Sequence, residues 1–114
     1  MFKDEIETFL EAAYSNNVEA MQDSLEKNKV SDINVSNSRK ETALMIAAQN
    51  NNVEVIQFLL KWESDKAASG SDVNNTLKRA ASSGYQAVHF ACYHGNLEAL
   101  EALILQDKSI IHKT

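Results

Sequence analysis

The 114-residue sequence has no proline, one cysteine, one tryptophan and three glycines. A single thiol, Cys92, excludes an internal disulfide and fits a reducing compartment. The glycines, Gly70, Gly84 and Gly95, fit no phosphate-cradling loop, so a nucleotide motif is absent. Positive charge is also scarce, with 11 Lys and Arg against 16 Asp and Glu and a net charge of −5. Neutralising a nucleic-acid backbone needs clustered cations, and these are scattered. No apolar run approaches the ~18 residues of a membrane-spanning helix. The opening residues, Met1 to Glu7, are too acidic for a secretory signal. These absences lead us to expect a cytoplasmic chain with no nucleic-acid or membrane partner.

What is present is helical periodicity, repeated. The apolar fraction of 44% is that of a folded chain, and the length is that of one domain, residues 1–114. Ala87 to Ile104 reads AVHFACYHGNLEALEALI. Val88, Ala91 and Cys92 share one helical face, and Leu97, Leu100, Leu103 and Ile104 share another. Gly95 between them suits a left-handed helix stop, and Asn96 an N-cap. Helices this short are unstable alone, which predicts stacked copies. Asn17-Val18-Glu19, Asn52-Val53-Glu54 and Asn96-Leu97-Glu98 share one pattern, their asparagines 35 and 44 residues apart. Each is preceded by a turn residue, Asn16, Asn51 or Gly95, that tolerates a left-handed backbone. Small pairs stand before each turn: Ala12-Ala13, Ala47-Ala48 and Ala91-Cys92. Self-similarity at this period signals a repeat array.

Thr42-Ala43-Leu44-Met45-Ile46-Ala47-Ala48 resembles the ankyrin repeat's Thr-Pro-Leu-His-x-Ala-Ala. Ala87-Val88-His89-Phe90-Ala91-Cys92 is similar to the same motif and runs on through Tyr93-His94-Gly95-Asn96-Leu97-Glu98. Gly70-Ser71-Asp72-Val73-Asn74, and more weakly Asp32-Ile33-Asn34, resemble the lead into an ankyrin hairpin. With no proline in the chain, Ala43 and Ala87 take the family's rigid first helical position. The resemblance implies an all-α, ankyrin-like solenoid of stacked antiparallel helix pairs with finger loops and little or no regular β-sheet. We expect repeats at roughly 4–33, 34–70 and 84–114, with an insertion over 63–83 carrying an extra helix ended by Gly84. A competing register, in which Ala80 to Gly84 opens the third repeat, matches fewer positions. Helices are expected at about 5–15, 18–27, 42–50 and from Val53 to at least Trp62. Asp4 and Glu7 read as a capping box, and Ile6, Phe9, Leu10 and Ala13 as an apolar stripe. Met21, Leu25, Ile56, Leu59 and Leu60 point inward, and Trp62 packs under the insertion. Ile110 and Ile111 after the last helix need cover, so we expect the N-terminal part of a longer protein.

Catalytic, cofactor and metal sites are not expected. His89, Cys92 and His94 lie close in sequence, but a seven-residue helix offers no convincing third and fourth ligands. In the resemblance His89 holds the family's structural histidine position, its ring bonding the neighbouring turn; Met45 replaces it in the second repeat. Cys92 is expected buried and inert. What remains is a surface. The resemblance implies that a partner meets the finger tips and the ends of the first helices, here Tyr14, Ser38, Arg39, Glu41, Gln49, Asn50, Ser83, Tyr85, Tyr93 and His94. Tyr14, Gln49 and Tyr93 hold equivalent positions and should form one row. The expected function is a non-catalytic, monomeric protein–protein interaction module. The alternative is the substrate-targeting domain of a larger enzyme or of a secreted bacterial effector in a host cytoplasm.

Overall fold

Apolar residues at every third or fourth position predict three helix pairs, and the computed structural model, which describes residues 3–27, 33–65 and 81–106, contains them. The pairs are α1 (Lys3–Tyr14) with α2 (Val18–Glu26), α3 (Ala43–Gln49) with α4 (Val53–Asp65), and α5 (Ala87–Tyr93) with α6 (Leu97–Gln106). Among the described residues there is no sheet; Ser36 and Thr42 form an isolated antiparallel bridge. The first helices α1, α3 and α5 pack in one layer and the second helices α2, α4 and α6 in another, an all-α solenoid of stacked pairs.

The core lies between the layers. Phe9, Ala13, Met21, Leu44, Ala47, Ala48, Ile56, Leu59, Leu60, Ala91 and Leu103 are buried, as the stripes require, and Ile33 reaches in from the first connection. Val55 is also fully buried, because α4 is packed by both α2 and α6. Asn16, Asn51 and Gly95 all take the left-handed conformation, with φ of 58°, 56° and 67°. Three expectations change. α1 begins at Lys3, so Asp4 lies inside the helix rather than at its cap. Gly84 sits in a loop turn at φ 85° and ends no helix; Ala81 belongs to that loop, and the remainder of the expected extra helix lies outside the described residues. Residues 81–86 are likewise not helical, which removes the competing register.

The asparagines hold the layers in register. Asn17 caps its own helix, its Oδ1 accepting the Ala20 N–H at 3.1 Å. Asn52 and Asn96 instead reach back to the preceding pair. The Asn52 amide donates to the carbonyls of Ala13 and Tyr14, both at 2.8 Å. The Asn96 amide donates to those of Ala48 and Gln49, at 2.8 and 3.0 Å. These are carbonyls that a helix end leaves without an internal partner. The turn asparagines reach forward. Asn16 Oδ1 accepts the Val55 N–H at 3.3 Å and its amide donates to Glu54 at 3.0 Å. Asn51 does the same to Ala99 and Glu98, at 3.0 and 2.7 Å. The second helices α4 and α6 are therefore each capped from the repeat before. The donated hydrogen bonds hold the Glu54 and Glu98 carboxyls below the usual glutamate range, helped by each residue's own backbone N–H.

Candidate functional site

Two finger loops stand over the first helices, built alike. In each, a left-handed residue, Lys40 at φ 59° or Gly84 at φ 85°, turns the chain. The Asn37 N–H bonds the Glu41 carbonyl at 3.1 Å, and the Ala81 N–H bonds the Tyr85 carbonyl at 2.9 Å. The fingers are tied to each other where the Ser82 N–H meets the Arg39 carbonyl at 2.8 Å. The first finger has an extra pin. Asn37 Oδ1 accepts the N–H groups of Arg39 and Glu41, at 2.9 and 3.0 Å, and its amide donates to the Glu41 carboxylate at 2.9 Å.

Below the first finger runs a groove of about 570 Å³ lined by Leu10, Glu11, Tyr14, Asn37, Arg39, Glu41, Ile46, Gln49, Asn50 and His94. It draws on α1, on the finger and α3, and on the end of α5. Glu41, its side chain only 14% exposed, is engaged on several sides: by Asn37, by the Gln49 amide at 3.4 Å and by the Arg39 guanidinium at 3.7 Å. Glu11 makes no ion pair among the described residues and lies exposed on the groove wall. Alongside α5 and the second finger is a second hollow of about 520 Å³, lined by Ser83, Gly84, Tyr85, His89, Cys92 and Tyr93. Tyr85 stands at its centre, with ring centroids 5.9 Å from His89, 5.6 Å from Phe90 and 6.4 Å from Tyr93. Tyr93 in turn lies edge-on to His94 at 5.3 Å.

Of the residues expected at the surface, Tyr14, Arg39, Glu41, Gln49, Asn50 and His94 come together in the groove, while Ser83, Tyr85 and Tyr93 line the hollow. Ser38 lines neither. The equivalent row is thus divided: Tyr14 and Gln49 share the groove, and His94, next to Tyr93, completes it. Glu11, Ile46 and Asn37 line the groove without having been singled out from the sequence. The first two lie one helical turn before Tyr14 and Gln49, an i−3 relation that places them on the same face.

His89 is held as expected, its Nδ1 accepting the Gln86 N–H at 2.9 Å across the start of α5. Cys92 is exposed rather than buried. Its equivalent Ala48 is fully buried because α5 packs on α3; no described helix packs on the far side of α5. The same asymmetry leaves Leu97 71% exposed instead of inward-facing. Phe58 and Trp62 lie 6.0 Å apart, with Trp62 half-buried against the core. Among the described residues, no three His, Cys, Asp or Glu side chains stand close enough to hold a metal ion, and no helix is long and apolar enough to cross a membrane.

No curated protein matches the chain. Among solved structures it is similar to a chain of the complex between the predatory endopeptidase Bd0816 from Bdellovibrio bacteriovorus and the immunity protein Bd3460. The identity is 25%, the TM-score 0.69 and the coverage 88% of this chain. This chain spans 46% of that one. A family model of ankyrin repeats, protein-interaction modules that are generally non-catalytic, matches residues 9–114 with 3 copies. The stacked pairs, the left-handed turns and this match agree, and the chain belongs to the ankyrin repeat family.

Proposed function

We propose that this chain is a non-catalytic interaction module that binds one partner protein along the groove and fingers of its first-helix layer. The observation that carries the reading is the groove's composition. It takes walls from all three repeats, so it exists only in the assembled stack. Tyr14, Arg39, Asn50 and His94 in its lining take no part in the core. Amide and tyrosine side chains held at helix ends give contact area and hydrogen bonding at low entropic cost. The contact set is Tyr14, Ser38, Arg39, Glu41, Gln49, Asn50, Ser83, Tyr85, Tyr93 and His94. The likeness to a chain from an endopeptidase–immunity protein complex supports a protein as the partner. In this reading the module acts as a cytoplasmic monomer, with no nucleic acid, metal or cofactor.

The test is a paired affinity capture from the native cell lysate, with the wild-type chain and a Tyr14→Ala, Gln49→Glu variant as baits. The second change sets a carboxylate against Glu41 and repels it. With equal helix content by circular dichroism, a partner retained by the wild type should be lost by the variant. Equal capture by both would place the site elsewhere.

A further inference from the structure

Resting on that reading, we propose that the tip of the first finger, Arg39 with Lys40, is the charged contact of the interface. It takes an acidic segment of the partner protein, whose Asp or Glu side chains meet both cations. The first argument is the backbone. Among the described residues, Asn16, Lys40, Asn51, Gly84 and Gly95 take the left-handed conformation. Four of these are Asn or Gly, the types that enter it most readily. Lys40, at φ 59°, is the exception. Its counterpart in the second finger is Gly84, at φ 85°, so the turn itself is served by glycine. Lysine there strains the turn while its side chain stays exposed and makes no ion pair among the described residues. A strained residue on a surface loop, with no return to the fold, points to a use outside it.

The second argument compares the two tips. Arg39 and Lys40 stand 44 residues before Ser83 and Gly84, on fingers closed by the same backbone bond. The positive charge therefore belongs to the first finger and not to the scaffold. The third argument is preorganisation. Asn37 Oδ1 accepts the Arg39 N–H at 2.9 Å, the Asn37 carbonyl accepts the Lys40 N–H at 3.0 Å, and the Arg39 carbonyl accepts the Ser82 N–H at 2.8 Å. Both cations thus project from an ordered backbone, which lowers the entropy lost on binding. Arg39 Nε faces the pinned Glu41 carboxylate at 3.7 Å, yet the side chain is 78% exposed. The donors on its terminal nitrogens make no hydrogen bond among the described residues and suit a second carboxylate. The fourth argument selects the occupant. Nucleic acid and anionic bilayers are held by larger cationic clusters, about four to eight Lys or Arg for a bilayer. Two cations on a chain of net charge −5 match a short acidic stretch of protein instead. Arg39 also lines the groove, so that stretch is continuous with whatever the groove holds.

The experiment selects a phage-displayed library of random linear peptides on the intact chain. A synthetic peptide of the enriched sequence is then titrated against variants by fluorescence anisotropy. We expect enriched peptides to carry neighbouring Asp or Glu residues. Lys40→Gly and Lys40→Gln should each weaken the peptide about 5-fold, and Lys40→Gly with Arg39→Gln about 20-fold. Lys40→Arg should bind as the wild type does. Added salt should weaken the wild-type complex more steeply than the Lys40→Gly complex. Lys40→Gly should also raise the urea midpoint, because glycine relieves the left-handed turn, so its lost binding is not lost folding. No acidic enrichment, or affinity unchanged by both Lys40→Gly and Lys40→Gln, overturns the proposal. A lower urea midpoint for Lys40→Gly overturns the backbone argument beneath it. Acidic peptides weakened by Lys40→Gly but untouched by Tyr14→Ala, Gln49→Glu support the finger tip and remove the groove. The reverse pattern leaves the groove reading standing and removes the finger tip.

Discussion

Replacing Asn51 separates the two roles of this residue. Its backbone is left-handed, at φ 56°, and its side chain caps the next repeat by accepting the Ala99 N–H at 3.0 Å while donating to Glu98 at 2.7 Å. Asn51→Ala removes the cap, a loss of about 1 kcal/mol. It also places a Cβ without a polar side chain in the left-handed region, which costs a further ~1–2 kcal/mol. The expected loss is therefore about 2–3 kcal/mol, a large share of the roughly 5–15 kcal/mol that holds a domain together. Asn51→Gly loses the same cap but not the backbone, since glycine already occupies the equivalent position at Gly95, φ 67°. It should lose about 1 kcal/mol or less. Urea unfolding followed by far-ultraviolet circular dichroism measures both, provided the slope with denaturant stays constant. Equal losses for alanine and glycine would refute the backbone argument. A loss under about 0.3 kcal/mol in both would refute the inter-repeat cap.

Asn96→Ala removes the ties to the Ala48 and Gln49 carbonyls and should cost about 1–3 kcal/mol in the same assay; Asn17→Ala, which loses a cap within one repeat, should cost about 1 kcal/mol. The folded chain holds Glu54 and Glu98 below the ordinary value of 4.5 through Asn16 and Asn51. The stability this brings is fully present above the unfolded value and is lost as pH falls through the folded one. The urea midpoint should therefore drop on acidification below about pH 4.5, and less steeply in an Asn16→Ala, Asn51→Ala double variant. Cys92 should react with a thiol reagent in the native chain almost as fast as in urea; strong native protection would contradict its exposure.

The helices and turns were legible because their signals are local. An apolar stripe needs no knowledge of its partner, and Asn16, Asn51 and Gly95 announce a left-handed backbone by residue type alone. Burial was less legible because it depends on what lies beyond the repeat. Ala48 and Cys92 hold the same position, yet one is sealed under α5 and the other faces no described helix. Val53 and Leu97 differ in the same way, half-buried against 71% exposed. The pattern that Asn17 and Asn52 share with Asn96 suits an N-cap in each repeat, yet of the three only Asn17 caps its own helix with its side chain. In a stack the preceding helix end comes within reach, and its unpaired carbonyls claim the amide.

The candidate site follows a different rule, for it lies where the repeats differ. Core positions must stay alike for the layers to pack: Ala13, Ala48 and Ala47 with Ala91 remain small and buried. The finger base and the helix end carry no such duty, and there Glu41 with Gln49 gives way to Tyr85 with Tyr93. Similarity at a fixed spacing thus located the scaffold, and it could also locate the row of Tyr14 and Gln49. It could not show that Tyr93 turns into a separate hollow, because ring packing among Tyr85, His89 and His94 decides that direction. Nor could it show that Glu41 is engaged, since Asn37 and Arg39 reach it only once the finger has folded over α3. Chemistry that changes between equivalent exposed positions, where the scaffold stays constant, is therefore the sharper guide to a partner than the repeat motif itself.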